Sequence, residues 1–266
     1  MLLASFFGVV MGLVLGLTGA GGGILAVPAL VLGLGWSMTE AAPVALFAVG
    51  SAAAVGAIDG LRHGLVRYRA ALLIALLGAV FSPMGIYLAH QLSEKILMML
   101  FSLLMVLVAA RMLRRETPQA GPSDHGAASW GQKNCMLDRE TGRLAWTARC
   151  TATLSALGAV TGLVSGLLGV GGGFLIVPAF KQLTDVQMRG IVATSLMVIS
   201  LISLIGVVGA FHAGVSIDRV GAVFIAASIV GMVLGRRVST KVPARALQVG
   251  FAGVCLGVAV FMLVRA

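Results

Sequence analysis

Charge is what this chain has least of. Only 11% of its 266 residues are Asp, Glu, Lys or Arg, while 59% are hydrophobic and the mean hydropathy is +1.05. Soluble domains carry about 25% charged residues, so this chain cannot cover itself with a polar surface and reads as an integral membrane protein. Cysteine is nearly as scarce. Three residues at positions 135, 150 and 255, an odd number without dense spacing, give no disulfide framework, and the expectation is packing residues or reduced thiols. Four scattered histidines do not suggest a metal site, and no cofactor is implied. Neither His-Glu-x-x-His nor Gly-x-Ser-x-Gly occurs, which argues against an intramembrane enzyme. No Lys or Arg precedes the first apolar run, so that run is expected to be structure and not a cleaved signal peptide.

The charge that exists is lopsided, at a formal +10. Nucleic acid is not the partner this implies. The cations fall almost entirely between the apolar runs, where they would set orientation in a bilayer. Those runs are Met1–Thr39, Ala41–Ile58, Ala70–Leu92, Ile96–Ala110, Cys150–Phe180, Gly190–Ile217, Val220–Gly235 and Ala246–Val264. Each approaches the length needed to cross ~30 Å of hydrocarbon as a helix, except that the opening run of each half is too long for one crossing. The fold expected is an all-α polytopic membrane protein of roughly eight to ten segments.

The chain also repeats itself. Gly12–Leu30 and Gly162–Phe180 are identical at 13 of 19 positions, with no gap and a displacement of 150 residues. Weaker matches follow at the same offset, including Leu46 with Leu196, Gly56 with Gly206 and Gly85 with Gly235. The organisation expected is a membrane repeat over 1–113, a polar linker over 114–149 and a second repeat over 150–266. The two would pack as half-bundles with a site between them. Residues 136–146 of the linker have the pattern of a small hairpin turning at Thr141-Gly142.

At the heart of each repeat lies a dense glycine run, Gly19-Ala20-Gly21-Gly22-Gly23 and Gly169-Val170-Gly171-Gly172-Gly173, each leading to Val-Pro. Glycines and a proline at this density should break a membrane helix, and non-helical backbone is tolerated there only where protein or a water-filled cavity surrounds it. A short helix restarting after the glycines would present unpaired amides and the positive end of its dipole, a site for an anion without a buried Lys or Arg. Candidate substrate-binding residues are therefore Gly21, Gly22, Gly23, Gly171, Gly172 and Gly173, with hydroxyls from Thr18, Thr194 and Ser195. Ser51, Thr161, Ser165 and Ser200 are further hydroxyl donors, although single hydroxyls more often bond their own helix backbone. A nucleotide-binding loop is a poor reading, because no Lys-Ser/Thr follows the glycines. Upstream, Gly8, Gly12 and Gly16, and likewise Gly158, Gly162 and Gly166, recur every four residues, the spacing that lets membrane helices pack closely.

How often the opening run crosses the membrane decides the topology. With one crossing, Lys and Arg divide 12 to 7 between the two sides; with two, reversing at the glycines, they divide 16 to 3. The positive-inside rule favours the second scheme, which makes the repeats inverted and places the linker in the cytoplasm. Leu2–Leu17 and Ile24–Gly35 are short for full spans, so a tilted or re-entrant pair is expected.

A Gly-rich segment running into a hydrophobic stretch with Val-Pro, present in both halves, resembles the sulfite exporter TauE/SafE family of membrane permeases. Ala193-Thr194-Ser195-Leu196 is similar to the family's Thr-Ser-Leu element, whereas the aligned Pro43-Val44-Ala45-Leu46 carries no hydroxyl. The resemblance implies transport of a small anion across the cell (inner) membrane, with sulfite and organosulfonates the known theme. Few ionisable groups lie deep in the apolar runs, which fits a carrier using backbone dipoles and hydroxyls. Asp59, with Arg62 or His63, is a candidate gate. The rival reading is a non-transporting membrane assembly protein whose linker binds a partner. Self-association into a homo-oligomer is left open.

Overall fold

A computed structural model of the chain describes residues 1–19, 22–113, 135, 147–184, 188–212, 218–239 and 244–265. Gly21 and the hairpin expected at 136–146 lie outside the described residues. Among the described residues ten α-helices form: α1 (Leu2–Thr18), α2 (Ala26–Leu34), α3 (Met38–Arg62), α4 (Tyr68–Gln91), α5 (Glu94–Leu113), α6 (Ala148–Leu168), α7 (Gly173–Leu183), α8 (Met188–His212), α9 (Arg219–Ser239) and α10 (Ala244–Arg265). A 3₁₀ turn over Gly22–Leu25 precedes α2. No strand forms among the described residues.

Five helices, α3, α4, α6, α8 and α9, are each long and apolar enough to cross a membrane. Their outward faces match that solvent. Along α4, Leu72, Leu76, Val80, Met84 and Tyr87 form an exposed apolar stripe, and Leu204, Val208 and Phe211 do the same on α8. Contiguous apolar surface of this kind is not left open to water in a soluble monomer. The chain is a multi-pass membrane protein.

The helices are held together by close backbone approach. A Cβ added to Gly8 would lie 2.6 Å from the Phe224 carbonyl oxygen, one on Gly16 2.5 Å from that of Met232, and one on Gly12 would strike the Ser228 carbonyl, all on α9. On α6, Gly158 faces Ile74 in the same way, Gly162 faces Gly78 and Gly166 faces Ser82, all on α4. The six glycines spaced by four thus seat α1 on α9 and α6 on α4. Both contacts join one half of the chain to the other. The other extensive pairings follow the same exchange: α3 packs on α8, α5 on α10, α3 also on α9 and α8 also on α4. Even the borders correspond, since Met38–Arg62 and Met188–His212 lie 150 residues apart. Instead of two half-bundles meeting at a face, the halves interlock around the central α3–α8 pair.

The opening element reverses direction. Gly22, just past the glycines, touches Leu15 near the end of α1, whereas Gly33, near the end of α2, touches Phe7 near its start. The chain therefore folds back along α1. Helices of 17 and 9 residues, about 25 Å and 14 Å long, make an antiparallel pair, α2 being too short to span ~30 Å of hydrocarbon. α7 returns along α6 likewise, bringing Phe180 into one buried cluster with Cys150 and Leu154.

That return corrects the cysteine expectation. Cys135 and Cys150 are disulfide-bonded, with Cα atoms 4.9 Å apart, and only Cys255 is free. The cause is tertiary: Cys135 donates its backbone N–H to the Leu183 carbonyl and bridges Thr184, and the return of α7 along α6 places that end of α7 beside the start of α6. Spacing along the chain carried no sign of it.

Candidate transport site

Both glycine breaks start with the same cap. Gly19 and Gly169 end α1 and α6 at φ 75° and 69°, and their amides donate to the carbonyls of Leu15 and Ser165. A left-handed residue closing a helix is a glycine position because it has no Cβ to clash. The second break then uses two more left-handed glycines, Gly171 and Gly172 at φ 74° and 68°, before α7 starts at Gly173. The first break restarts through the 3₁₀ turn, so its α-helix begins at Ala26, two residues after the expected Ile24.

The two breaks meet at the centre. A Cβ on Gly23 would lie 2.9 Å from the Val170 carbonyl oxygen and 3.1 Å from Val49 Cγ1, and one on Gly171 would also lie 3.1 Å from Val49 Cγ1. Val49 of α3 is thus wedged between the two runs. Gly172 packs on the Thr161 carbonyl. In this conformation protein, not open space, surrounds Gly22, Gly23, Gly171 and Gly172, and Gly173 is buried as well.

The expected hydroxyls come close to the breaks but are engaged. Thr18 donates to the Val14 carbonyl at 2.8 Å. Thr194 donates to the Gly190 carbonyl at 2.7 Å and accepts the Arg67 amide at 3.0 Å, pinning the α3–α4 connection to α8. Ser195 donates to the carbonyls of Val192 at 2.9 Å and Gly19 at 3.4 Å, so it caps the first break. The residue 150 positions earlier is Ala45, and the second break has no such donor.

Open space lies elsewhere. A 280 Å³ cavity is lined by Ser82, Pro83, Ile86, Tyr87, His90, Ile205, Gly206 and Gly209. A second, of 100 Å³, shares Ile86, His90, Gly206 and Gly209 with it and runs inward to Ser165–Gly169, the very end of α6. Ser82, Ser165 and Ser203 are fully buried, and their hydroxyls have no hydrogen-bond partner among the described residues. Unpaired buried polar groups are costly and need a reason. The residues 150 positions away are Met232, Leu15 and Ala53, all apolar. Of the three serines, Ser165 stood among the sequence candidates. Ser82 and Ser203 did not, although Ser82 precedes a helix-interior proline, Pro83, a local irregularity that could have flagged it.

The matching place in the other half is filled. The positions corresponding to Ile86 and Gly209 are Arg236 and Asp59. Their side chains pair, Arg236 Nη2 to Asp59 Oδ2 at 2.5 Å, while Arg236 Nη1 donates to the Gly56 carbonyl at 2.5 Å. Met232 and Leu196 close on Gly56 from the other sides. Asp59 was expected to pair with Arg62 or His63. His63 Nδ1 does approach at 3.5 Å, but the closer partner comes from α9, in the other half of the chain. Of two positions 150 residues apart, one borders open space and the other is closed by an ion pair.

Comparison with known proteins places this arrangement. The sulfite exporter TauE/SafE family profile matches residues 4–262. The chain belongs to that family. A relative from Xylella fastidiosa (strain 9a5c), named "Probable membrane transporter protein", is 28% identical over 261 residues, covering 97% of this chain and 93% of that protein. The "Probable membrane transporter protein MamO" of Magnetospirillum gryphiswaldense is 24% identical over 276 residues, 95% of this chain but 44% of its own length. No solved structure matches. As a TauE/SafE member, the chain is a membrane transporter.

Proposed function

We propose that this protein carries a small anion, sulfite or an organosulfonate, across the cell (inner) membrane by alternating access between two inverted repeats. The observation that carries the reading is the open cavity at Ser82, Ile86 and Gly209 against the latched position at Met232, Arg236 and Asp59. Two structurally equivalent sites in opposite states are what one conformation of an alternating-access carrier would present. The reversal at each glycine run supports inversion, because it gives every repeat an odd number of passes. The substrate is held where the breaks meet, by the amides of Gly21–Gly23 and Gly171–Gly173 and the positive ends of α2 and α7. Ser195 holds the first break in place through the Gly19 carbonyl, and Thr194 holds the neighbouring α3–α4 connection through the Arg67 amide. Those amides become available when Val49 withdraws.

The test is flux in proteoliposomes. Sulfite and short organosulfonates are expected to show counterflow, and a panel of sulfonates and oxyanions giving neither counterflow nor binding would end the anion reading. Gly172→Val, which forces a β-branched residue to φ 68° against Thr161, should reduce flux at least tenfold while the protein still inserts. Undiminished flux would return this glycine to a packing role.

The linker is assigned to the cytoplasm on the 16 to 3 division of Lys and Arg. Disulfides persist in oxidising compartments and are reduced in the cytosol, so Cys135–Cys150 makes a direct test. A cytoplasmic linker predicts that the bond seen here is reduced in the cell, so acid quenching followed by alkylation under denaturing conditions without reductant is expected to modify both cysteines, which are buried in the folded chain. If both are protected until a reductant is added, the linker faces the oxidising side.

A further inference from the structure

The cavity at the end of α6 has a chemistry the anion site does not explain. The lining of the two adjoining cavities includes no Lys or Arg, and its polar side chains are the hydroxyls of Ser82, Tyr87, Ser165 and Thr39 with His90. The inner end is the C-terminus of a 21-residue helix, whose last carbonyls have no intrahelical partner and carry the negative end of the dipole. Among the described residues no backbone N–H donates to the carbonyls of Gly166, Leu167 or Leu168. Ser82 lines the larger cavity and Ser165 the smaller, and the two helices touch at this level, where Gly166 packs on the Ser82 carbonyl. Unpartnered hydroxyls at Ser82 and Ser165 and the last carbonyls of α6 therefore line these two adjoining cavities. At the first break the same position is closed by the Ser195 hydroxyl, Leu15 and Met232.

We propose that the hydroxyls of Ser82 and Ser165, together with the terminal carbonyls of α6, bind a monovalent cation, sodium, from the open cavity. Hydroxyl and carbonyl oxygens suit a hard cation. Calcium and magnesium would need the carboxylates that the lining lacks. Helix C-termini and unwound carbonyls hold coupling ions in broken-helix transporters, while helix N-termini hold the anionic substrate. The α6–α7 break presents both ends, so sodium and the anion would sit on opposite sides of Gly169–Gly172. Its role as coupling ion rests on the transport reading above; its binding does not.

The purified full chain is compared in sodium chloride and choline chloride at equal ionic strength. Sodium is expected to raise the melting midpoint by at least about 3 °C. Ser165→Ala and Ser82→Ala, which remove only an unpartnered oxygen, should each fold normally and lose most of the shift. Equal midpoints in the two salts, or a shift retained in both variants, overturn the site and leave water as its occupant. In proteoliposomes an inward sodium gradient should accelerate anion flux at least tenfold. Anion flux indifferent to sodium defeats the coupling and leaves the carrier intact. A sodium shift in a protein that moves no anion defeats the carrier and leaves the site.

Discussion

Gly162→Val is expected to leave the chain inserted but without a stable fold, lowering the melting midpoint by more than about 10 °C and preventing monodisperse extraction. The argument is steric. A Cβ at position 162 would strike the backbone of Gly78, both its carbonyl oxygen and its Cα, and a main chain cannot move aside as a side-chain tip can. α6 would have to leave α4 by more than an ångström, and the contacts of Gly158 with Ile74 and Gly166 with Ser82 would open with it. Overpacking a close contact costs about 1–3 kcal/mol when the neighbour can adjust, and here three contacts in register fail together. Gly12→Val, facing Ser228 on α9, should behave alike. Gly253 and Gly257 of α10 supply the control, as nothing lies within 4 Å of a Cβ added to either. Their valine variants should change stability by no more than about 0.5 kcal/mol. Comparable losses at 162 and 257 would mean that membrane insertion, not helix packing, sets stability.

Why glycine spacing could be read from the chain and other features could not comes down to where the partner sits. Gly8, Gly12 and Gly16 lie on one helix face because they are four apart, so the sequence alone declares a flat, side-chain-free strip. What it cannot declare is the identity of the facing helix, and both strips turned out to face the opposite repeat. The breaks were legible for a similar local reason: Gly169, Gly171 and Gly172 occupy left-handed backbone that only glycine adopts readily. The functional asymmetry was not legible. Ser82 and Ser203 are single hydroxyls in apolar helices, and such residues nearly always bond their own backbone. Only the structure shows that Thr161, Thr194 and Ser195 do so while Ser82, Ser165 and Ser203 do not. Cys135 and Cys150 needed the return of α7 along α6 before they could be neighbours. Asp59 was paired by sequence with residues three and four positions on, because helical proximity is the one contact a sequence guarantees. Arg236 could not be anticipated without knowing that α9 packs against α3.

Breaking that last contact should turn the transporter around. Asp59→Asn removes the charge that holds Arg236 across the α3–α9 contact, and Arg236→Gln removes both the ion pair and the bond to the Gly56 carbonyl. The side chains are 46% and 26% exposed, so the pair contributes about 1 kcal/mol, in the range of a partly solvated bridge. A carrier need not lose much more than this to change its resting state. If the latched and unlatched forms differ by a few kcal/mol, a change of about 1 to 1.4 kcal/mol multiplies the minor population by about five to ten. The measurement is thiol labelling at Leu196→Cys, in a background without the three native cysteines. Leu196 is buried and packs against Gly56 behind the latch. Labelling from the linker side should accelerate about fivefold in Asp59→Asn and somewhat more in Arg236→Gln. Labelling of a cysteine at Gly209, which lines the open cavity, should slow over the same comparison, because alternating access exchanges one opening for the other. A rise at 196 without a fall at 209 would describe a leak through a loosened helix contact. No change at either position would make Asp59 and Arg236 an anchor between repeats, and the latch would have to be sought at Met232.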